Sequence, residues 1–200
     1  MKIICHRVNT VENLKKVDKK YGAEVDIRSE GNKLIIHHDP FSGGEDFEIW
    51  IKEFDHSFLI LNVKEEGLEE RLLSLLKKYD IKNFFFLDQS FPFIIKYSKK
   101  GVKEIALRVS EFESLDTAIS LSGLCNWIWV DCFKRLPINS SDIEELRQNG
   151  FKLCYVSPEL QGRGTFEDIK GYISELKLLG TSPDAVCTKF PEIWELSFGK

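Results

Sequence analysis

The sequence alternates short apolar runs of strand length with longer amphipathic runs of helix length, and this alternation constrains the fold more than any other feature. The apolar runs predict eight principal strands, at residues 2–7, 23–28, 58–64, 83–88, 104–110, 127–133, 152–157 and 185–189. The amphipathic runs predict a helix after each of the first seven strands, at residues 10–21, 46–54, 68–78, 92–99, 114–121, 141–148 and 165–179. Residues 33–38 predict a short additional strand after the second.

Alternating strands and helices predict a parallel sheet, because parallel strands need crossover connections that helices usually supply. Eight such units in 200 residues predict a near-minimal (β/α)₈ barrel of the TIM type, forming one domain over residues 1–200. The alternative is an open doubly wound sheet. Against it, His6 to Asn9 follow the first strand, where such sheets often carry a glycine-rich phosphate loop. Four glycines follow helical runs and are predicted to end them: Gly22, Gly101, Gly150 and Gly180.

Charge and cysteine content exclude several classes of protein. With 28 basic and 32 acidic residues the formal net charge is −4, which does not fit a broad nucleic-acid-binding surface. The 5 cysteines include no CxxC pair and lie mostly in apolar runs, so we expect free structural thiols in a reducing compartment. No apolar run approaches the roughly 18 residues of a membrane helix. The first residues show no secretory leader, so a cytoplasmic protein is expected.

Polar residues follow the apolar part of nearly every predicted strand, at the end where barrel enzymes place their active sites. Glu24 and Asp26 share one face of the second strand, and their oxygens could hold a hard divalent cation. Asn62 and Lys64 share a face of the third strand. Asn62 could add an amide oxygen to the metal site, and Lys64 could contact a phosphate as a point charge. A solvent-facing acidic pair and a surface lysine are the simpler alternatives.

Histidines and arginines supply further candidate groups. His6, which ends the first strand, could act as a general acid or base, or be a structural histidine. His37 and His38 are adjacent on the additional strand, so their side chains point to opposite faces and only one can enter a site. Arg7 could bind phosphate oxygens. Arg163 stands between two glycines after the seventh strand, where it could hold phosphate or lie in a solvated loop.

Two tryptophans and two lysines on the predicted strands leave alternatives open. Trp127 and Trp129 share a face of the sixth strand, where both belong to the core or Trp129 stacks on a sugar near the active-site face. Lys64 or Lys189 could instead form an amine adduct with a carbonyl substrate in a lyase or isomerase.

Four segments, in order, resemble motifs of the glycerophosphodiester phosphodiesterase family, which belongs to the barrel superfamily that includes phosphatidylinositol-specific phospholipase C. His6-Arg7 resembles the start of the family's H-R-G motif, and Glu12-Asn13 resembles its E-N-T. Residues 22–26, which read GAEVD, are similar to G-A-x-x-x-E-x-D. Residues 30–40, which read EGNKLIIHHDP, are similar to D-G-x-x-V-x-x-H-D. Beyond Lys64 only the alternating strand and helix pattern continues.

The resemblance implies a metal-dependent hydrolase of a small glycerol- or sugar-linked phosphodiester, with that small molecule as its partner. It implies His6 and His38 as the acid–base pair, with His37 turned away and Arg7 bound to phosphate. The ligands of Mg²⁺ or Ca²⁺ would be Glu24, Asp26 and, at the family's third position, Asn62. In this family a neighbouring hydroxyl of the substrate is thought to attack phosphorus, and water then opens the resulting cyclic phosphate.

The chain departs from the family pattern at two positions. Val8 replaces the glycine of H-R-G, so the first loop cannot follow the family's backbone if φ is positive there. Asn62 replaces a metal-binding carboxylate in the family's E-x-K, which weakens the expected site unless Asp131 or Glu111 compensates. These departures motivate an alternative function, in which a catalytically inactive barrel binds phosphate esters in an accessory role.

Overall fold

The computed structural model describes residues 1–198, which form ten strands packed against helices. The strands are β1 (Lys2–Cys5), β2 (Gly22–Glu30), β3 (Lys33–Ile36), β4 (Glu45–Asp46), β5 (Leu59–Val63), β6 (Phe84–Leu87), β7 (Ala106–Val109), β8 (Trp127–Val130), β9 (Lys152–Val156) and β10 (Ala185–Thr188). The α-helices are α1 (Val11–Lys16), α2 (Phe47–Lys52), α3 (Glu69–Lys78), α4 (Phe91–Lys99), α5 (Leu115–Ile119), α6 (Ser140–Gln148), α7 (Phe166–Leu178) and α8 (Pro191–Phe198). A 3₁₀ helix spans Pro158–Gln161.

Eight of the strands form a curled parallel sheet in the order β7-β8-β9-β10-β1-β2-β5-β6. The first and last strands of the chain are neighbours, since Lys2 pairs with Ala185. At the two ends of this order, β6 and β7 are joined by a single bridge between Phe86 and Ile105. The α/β class and the parallel sheet predicted from the sequence are therefore confirmed. No helix in the described part of the chain is long and apolar enough to cross a membrane.

Side-chain alternation along the strands separates two apolar clusters. The larger cluster lies between the sheet and the helices, and it includes Leu14, Trp50 and Leu72. The smaller cluster is made of Ile4, Phe58, Ile60, Phe85, Leu87, Ala106, Trp127, Trp129, Cys154, Val156, Ala185 and Cys187. Trp127 and Trp129 are 2% and 5% exposed, which confirms the core alternative for both. All five cysteines are free, as predicted, and four are buried.

The additional strand is confirmed as β3, which pairs antiparallel with β2. A two-residue strand that the sequence did not reveal, β4, pairs with β3 and leads into α2. The Asp46 carboxylate caps α2 by accepting the N–H of Glu48 at 2.8 Å. This hairpin returns the chain to the middle of β2, where the N–H of His37 donates to the carbonyl of Asp26 at 3.1 Å.

The helix ends show where the sequence prediction was wrong. Helix α1 ends at Lys16 rather than at residue 21, and α8 was not predicted at all. Trp194 anchors α8, because it is buried and its indole N–H donates to Ser157 Oγ at 3.0 Å. Three of the four predicted helix-ending glycines have positive φ values, of 90°, 84° and 67°, at Gly101, Gly150 and Gly180. Gly22 is instead the first residue of β2.

Gly22 is required by close packing rather than by its φ. A Cβ at this position would lie 2.6 Å from the carbonyl oxygen of Phe58 and 2.9 Å from a side-chain carbon of Ile4. We expect Gly22→Ala to lower the free energy of unfolding by about 1 to 3 kcal/mol, because backbone must move to admit the methyl group. Gly171→Ala in α7 is the control, since a Cβ there meets nothing within 4 Å. That variant should gain up to about 1 kcal/mol. Urea unfolding measures both, and equal stabilities would contradict the packing argument.

Candidate active site

The carboxyl ends of the eight parallel strands and the loops that follow them form one face of the molecule, which we call the mouth. Glu24 lies there on β2 with its side chain fully buried. Its carboxylate accepts the backbone N–H of Arg7 at 2.7 Å and the amide of Asn62 at 2.9 Å. Burial and the neighbouring charge of Asp26 nevertheless raise the pKa of Glu24 from 4.5 to about 7. Without a bound cation, the neighbouring hydrogen-bond donors thus only partly offset the negative charge of these two carboxylates.

Asp26 is also fully buried, two residues further along β2. Its Oδ2 accepts the side-chain amide of Asn9 at 2.8 Å, and its backbone N–H donates to Asn9 Oδ1 at 3.0 Å. The ammonium of Lys64 lies 3.4 Å from Oδ1, and Arg7 Nε lies 3.9 Å from Oδ2. Asn9 was missed by the sequence analysis. The only signal for it was a polar residue in the loop after the first strand.

The donor set around these carboxylates fits a hard divalent cation. Asn62 pairs with Asp26 across the β2–β5 ladder, as the shared face of the strands predicts. Asn62 Oδ1 and Asp26 Oδ1 are both buried without a hydrogen-bond partner. Residues 1–198 contain no cluster of three His, Cys, Asp or Glu side chains suited to a metal. The oxygen donors offered here are those of two carboxylates and one amide. Oxygen ligands of this kind suit Mg²⁺ or Ca²⁺.

His6 borders this group of oxygens. Its Nε2 lies 3.9 Å from Glu24 Oε2, and its Nδ1 is buried without a hydrogen-bond partner. Burial, helped by the charge of Arg7, lowers the pKa of His6 from 6.5 to about 4. The imidazole is therefore neutral at pH 7 and able to accept a proton.

The loop after β1 accommodates Val8 without the glycine of the H-R-G pattern. The left-handed conformation falls on Arg7, whose φ is 54°, while Val8 is absent from the residues with positive φ and is buried in the core. The N–H of Val8 donates to the carbonyl of Glu24 at 2.8 Å. The Arg7 side chain is 47% exposed, so its guanidinium is accessible to an anion at the mouth. A non-glycine residue in this conformation is uncommon, and such strain often marks functional sites.

His38 lies at the edge of the mouth on the loop that follows β3. Its Nδ1 is 2.8 Å from Asp39 Oδ1, and its side chain is 40% exposed. Arg28 fixes the backbone of this loop by donating to the carbonyl of His38 at 3.1 Å from Nε and 2.9 Å from Nη2. The hydrogen bond to His38 and the charges of His37 and Arg7 lower the pKa of Asp39, which places this loop beside Arg7. The Nδ1 of His37 accepts the N–H of Asp39 at 3.0 Å.

A chain of alternating charges crosses the mouth from β2 to β8. Lys64 contacts Asp26 and also donates to Asp88 at 3.1 Å. Arg108 then forms ion pairs with both Asp88 and Asp131. Burial raises the pKa of Asp88, but the charges of Arg108 and Lys64 outweigh it and lower that pKa. Asp131, considered as a replacement metal ligand, is therefore engaged by Arg108, and Lys64 is engaged by two carboxylates.

Two further candidate site residues form hydrogen bonds that hold loops in place. Glu111, the other possible replacement ligand, accepts the backbone N–H groups of Phe133, Lys134 and Arg135. Burial raises the pKa of Glu111, but these hydrogen bonds outweigh it and lower the pKa to about 2. Arg163 donates to the carbonyls of Cys132 at 2.9 Å and Lys134 at 3.0 Å, and its phosphate contact stays a prediction.

The raised pKa of Glu24 predicts a pH-dependent effect on stability. The folded protein holds this proton more tightly than the unfolded chain, so the contribution of Glu24 to stability is lost as pH rises from 4.5 to about 7. In EDTA, Glu24→Gln should match the parent near pH 4.5 and exceed it at pH 8 by on the order of 2 to 3 kcal/mol. Urea unfolding at both pH values measures the difference. Exposed Glu66→Gln should show no such change, and a constant difference for Glu24→Gln would contradict the argument.

Comparison with known proteins adds evidence on the fold. No family model matches the sequence, and no curated protein matches it significantly. A glycerophosphodiester phosphodiesterase from Agrobacterium tumefaciens str. C58 is similar in structure, with a TM-score of 0.71 at 12% identity over 98% of this chain and 99% of that chain. A glycerophosphoryl diester phosphodiesterase from Parabacteroides distasonis ATCC 8503 has a TM-score of 0.68 at 14% identity, over 98% of this chain and 85% of that chain.

The chain has the fold of the glycerophosphodiester phosphodiesterases. The sequence motifs that resemble this family stop near Lys64, whereas the structural likeness extends over nearly the whole chain. The recognition made from four short segments is therefore confirmed at the level of the fold.

Proposed function

We propose that the protein is a metal-dependent phosphodiesterase that hydrolyses small glycerol- or sugar-linked phosphodiesters at the mouth. The observation that carries this proposal is the meeting of Glu24, Asp26 and Asn62 beside His6 and Arg7, on a fold shared with glycerophosphodiester phosphodiesterases. The proposal includes closure of the eight strands into a (β/α)₈ barrel. The bridge between β6 and β7 supports closure, because these are the two end strands of the curled sheet and the bridge joins them.

In this proposal Glu24, Asp26 and Asn62 hold Mg²⁺ or Ca²⁺. A bound divalent cation supplies Lewis-acid stabilisation of the negative charge that builds up on phosphate oxygens. Arg7 binds a phosphate oxygen with its accessible guanidinium, while its backbone N–H holds Glu24 in place. Lys64 places a positive charge between Asp26 and Asp88, where it orients both carboxylates and attracts the phosphate.

His6 and His38 divide the proton transfers. Neutral His6 takes the proton from a substrate hydroxyl next to the phosphate, and that oxygen attacks phosphorus. The bond from phosphorus to the second alcohol breaks, and His38, protonated and oriented by Asp39, gives the departing oxygen its proton. Water then opens the cyclic phosphate with the roles reversed, so that His38 accepts the proton of water and His6 returns one to the ring oxygen. Both histidines end in their starting states.

A panel of phosphodiesters tests the proposal. Purified protein should release alcohol from at least one glycerol phosphodiester in Mg²⁺ or Ca²⁺, and EDTA should stop the release. No cleavage of any member under either metal would contradict the proposal.

The alternative, an inactive phosphate-ester-binding barrel, rests on Asn62 and its missing negative charge. A ligand at a hundredfold excess over its dissociation constant stabilises the folded state by about 2.7 kcal/mol. Thermal stabilisation by glycerol 3-phosphate, without any response to Mg²⁺ or Ca²⁺ and without cleavage, would favour this alternative.

A further inference from the structure

The most exposed aromatic rings of the described chain all lie around the mouth. Phe41 is fully exposed, and Phe112, Phe166 and Phe91 are 74%, 56% and 49% exposed. Phe41 lies in the loop after β3 and Phe112 in the loop after β7, whereas Phe166 and Phe91 begin α7 and α4, which lead away from the mouth. Every other aromatic side chain in residues 1–198 is buried or partly buried. We call these four phenylalanines the aromatic rim.

Two members of the aromatic rim are held by a phenylalanine of a neighbouring loop. Phe112 packs on Phe133, which follows β8, with ring centroids 5.6 Å apart. Phe166 packs on Phe190, which follows β10, with ring centroids 5.7 Å apart. Ring pairs of this kind add a favourable contact, so the outer rings are held in position while they face water. Apolar side chains scattered singly over a surface are ordinary, but rings gathered at one end of a molecule indicate an interaction surface.

Exposed cations adjoin the inner ring of each pair. Lys134 and Arg135 directly follow Phe133, and Lys189 directly precedes Phe190. None of these three cations forms an ion pair with the residues that the structure describes. We call them the cationic rim. Since the whole chain has a net charge of −4, these cations are concentrated locally against the overall charge.

The acidic residues on the same side are largely engaged. Glu111 accepts three backbone N–H groups of the loop after β8, and Glu113 pairs with Arg108. Glu167 and Glu192 lie in the first turns of α7 and α8, where the helix dipole offsets part of a negative charge. The cationic rim is therefore the part of this surface that is free to attract a negatively charged partner.

This combination of rings and cations fits a lipid surface better than a protein partner. Aromatic side chains favour the headgroup level of a bilayer, and nearby lysines and arginines are attracted to anionic headgroups. The rings stand in four separate segments around an opening, whereas the core of a protein interface is a contiguous, closely packed apolar patch. No helix of the described chain could cross the bilayer, so such a contact is peripheral.

Going beyond the proposed phosphodiesterase activity, we propose that the protein docks with its mouth against an anionic lipid surface. The aromatic rim inserts among the headgroups, and the cationic rim contacts lipid phosphates. Docking in this orientation places the candidate active site at the headgroup layer. The proposal does not depend on catalysis, because it concerns only where the rings and the cations lie.

Vesicle sedimentation tests the proposal without any measurement of activity. The parent should bind vesicles of equal parts phosphatidylcholine and phosphatidylglycerol more tightly than vesicles of phosphatidylcholine alone, and added salt should weaken the binding. The double variant Phe112→Ala with Phe166→Ala should lose about tenfold or more in affinity, because two rings no longer insert. The double variant Lys134→Gln with Arg135→Gln should lose about tenfold or more on the anionic vesicles alone.

Matched controls lie at the far ends of the helices. Leu178→Ala removes an apolar side chain that is 87% exposed on the last residue of α7. Lys99→Gln with Lys103→Gln removes two exposed charges at the end of the sheet opposite the mouth. Each control should keep the parent affinity within about twofold. No binding of the parent to anionic vesicles, or equal losses in the rim variants and the controls, would overturn the proposal.

A fluorescence measurement tests the orientation separately. The four native tryptophans are buried, so Phe112→Trp adds the one exposed indole. Its emission should shift to shorter wavelength on addition of anionic vesicles, whereas Leu178→Trp should show no shift. Binding without a shift in Phe112→Trp would refute docking by the mouth. Sedimentation equilibrium without lipid covers a second copy of this chain as the occupant: self-association that is lost in the double phenylalanine variant, with no vesicle binding, would also overturn the proposal.

Discussion

His6→Ala and His38→Ala should each lower kcat for phosphodiester cleavage by about 10²- to 10⁴-fold, the range expected when a general acid or base is removed. His6 is neutral at pH 7 and borders the buried carboxylates, and His38 is held in place through Asp39 and Arg28. Initial rates with the best diester of the panel, at saturating metal, measure the effect.

His37→Ala is the matched control for both variants. His37 is adjacent to His38 on the same loop, and its Nδ1 is engaged by the backbone of Asp39. Its loss should change kcat by no more than about threefold, because it removes a turn contact and no proton transfer. Circular dichroism and thermal unfolding confirm that the variants fold. Activity that survives both His6→Ala and His38→Ala would exclude the acid–base pair.

Features that are local in the chain could be predicted from the sequence. Strand and helix periodicity predicted all eight parallel strands, because each buries apolar side chains in a repeating pattern. The same alternation placed Glu24 and Asp26 on one face, and β5 carries Asn62 to the position paired with Asp26. The sequence after β10 shows no clear helical periodicity of apolar residues, so α8 and its buried Trp194 were missed.

Features that depend on tertiary contacts could not be predicted. Asn9 reaches Asp26 only because Arg7 takes a left-handed conformation and turns the loop back onto β2. The sequence left Arg163 as a phosphate-binding or a solvated loop residue, and it gave no sign that the guanidinium donates to carbonyls of the loop after β8. The single bridge that joins β6 and β7 has no sequence signature, because both strands show an ordinary apolar pattern.

Asn62→Asp should strengthen metal binding by about tenfold or more, since the number of charged ligands sets the affinity of an oxygen site for a divalent cation. The same change should lower the stability of the metal-free protein. It adds a third carboxylate to a pair whose Glu24 pKa is already raised, and it removes the amide that donates to Glu24 at 2.9 Å. We expect a loss of about 2 kcal/mol or more in EDTA, recovered on addition of Mg²⁺ or Ca²⁺.

The control variant Asn126→Asp distinguishes the effect on metal binding from the loss of stability without metal. Asn126 also donates its amide to a glutamate, Glu104, at 2.9 Å, but it lies at the opposite end of the sheet from the mouth. It should lose stability in EDTA, and metal should stabilise it only as much as it stabilises the parent, so the loss relative to the parent remains. Thermal unfolding across a metal titration, with calorimetry for the dissociation constant, compares the two variants. Equal metal responses of Asn62→Asp and Asn126→Asp would contradict a ligand role for residue 62, and no response in the parent or in either variant would contradict a cation site at Glu24 and Asp26. A response confined to Asn62→Asp, with none in the parent, would show that asparagine at this position abolishes metal binding, which favours the inactive phosphate-ester-binding barrel.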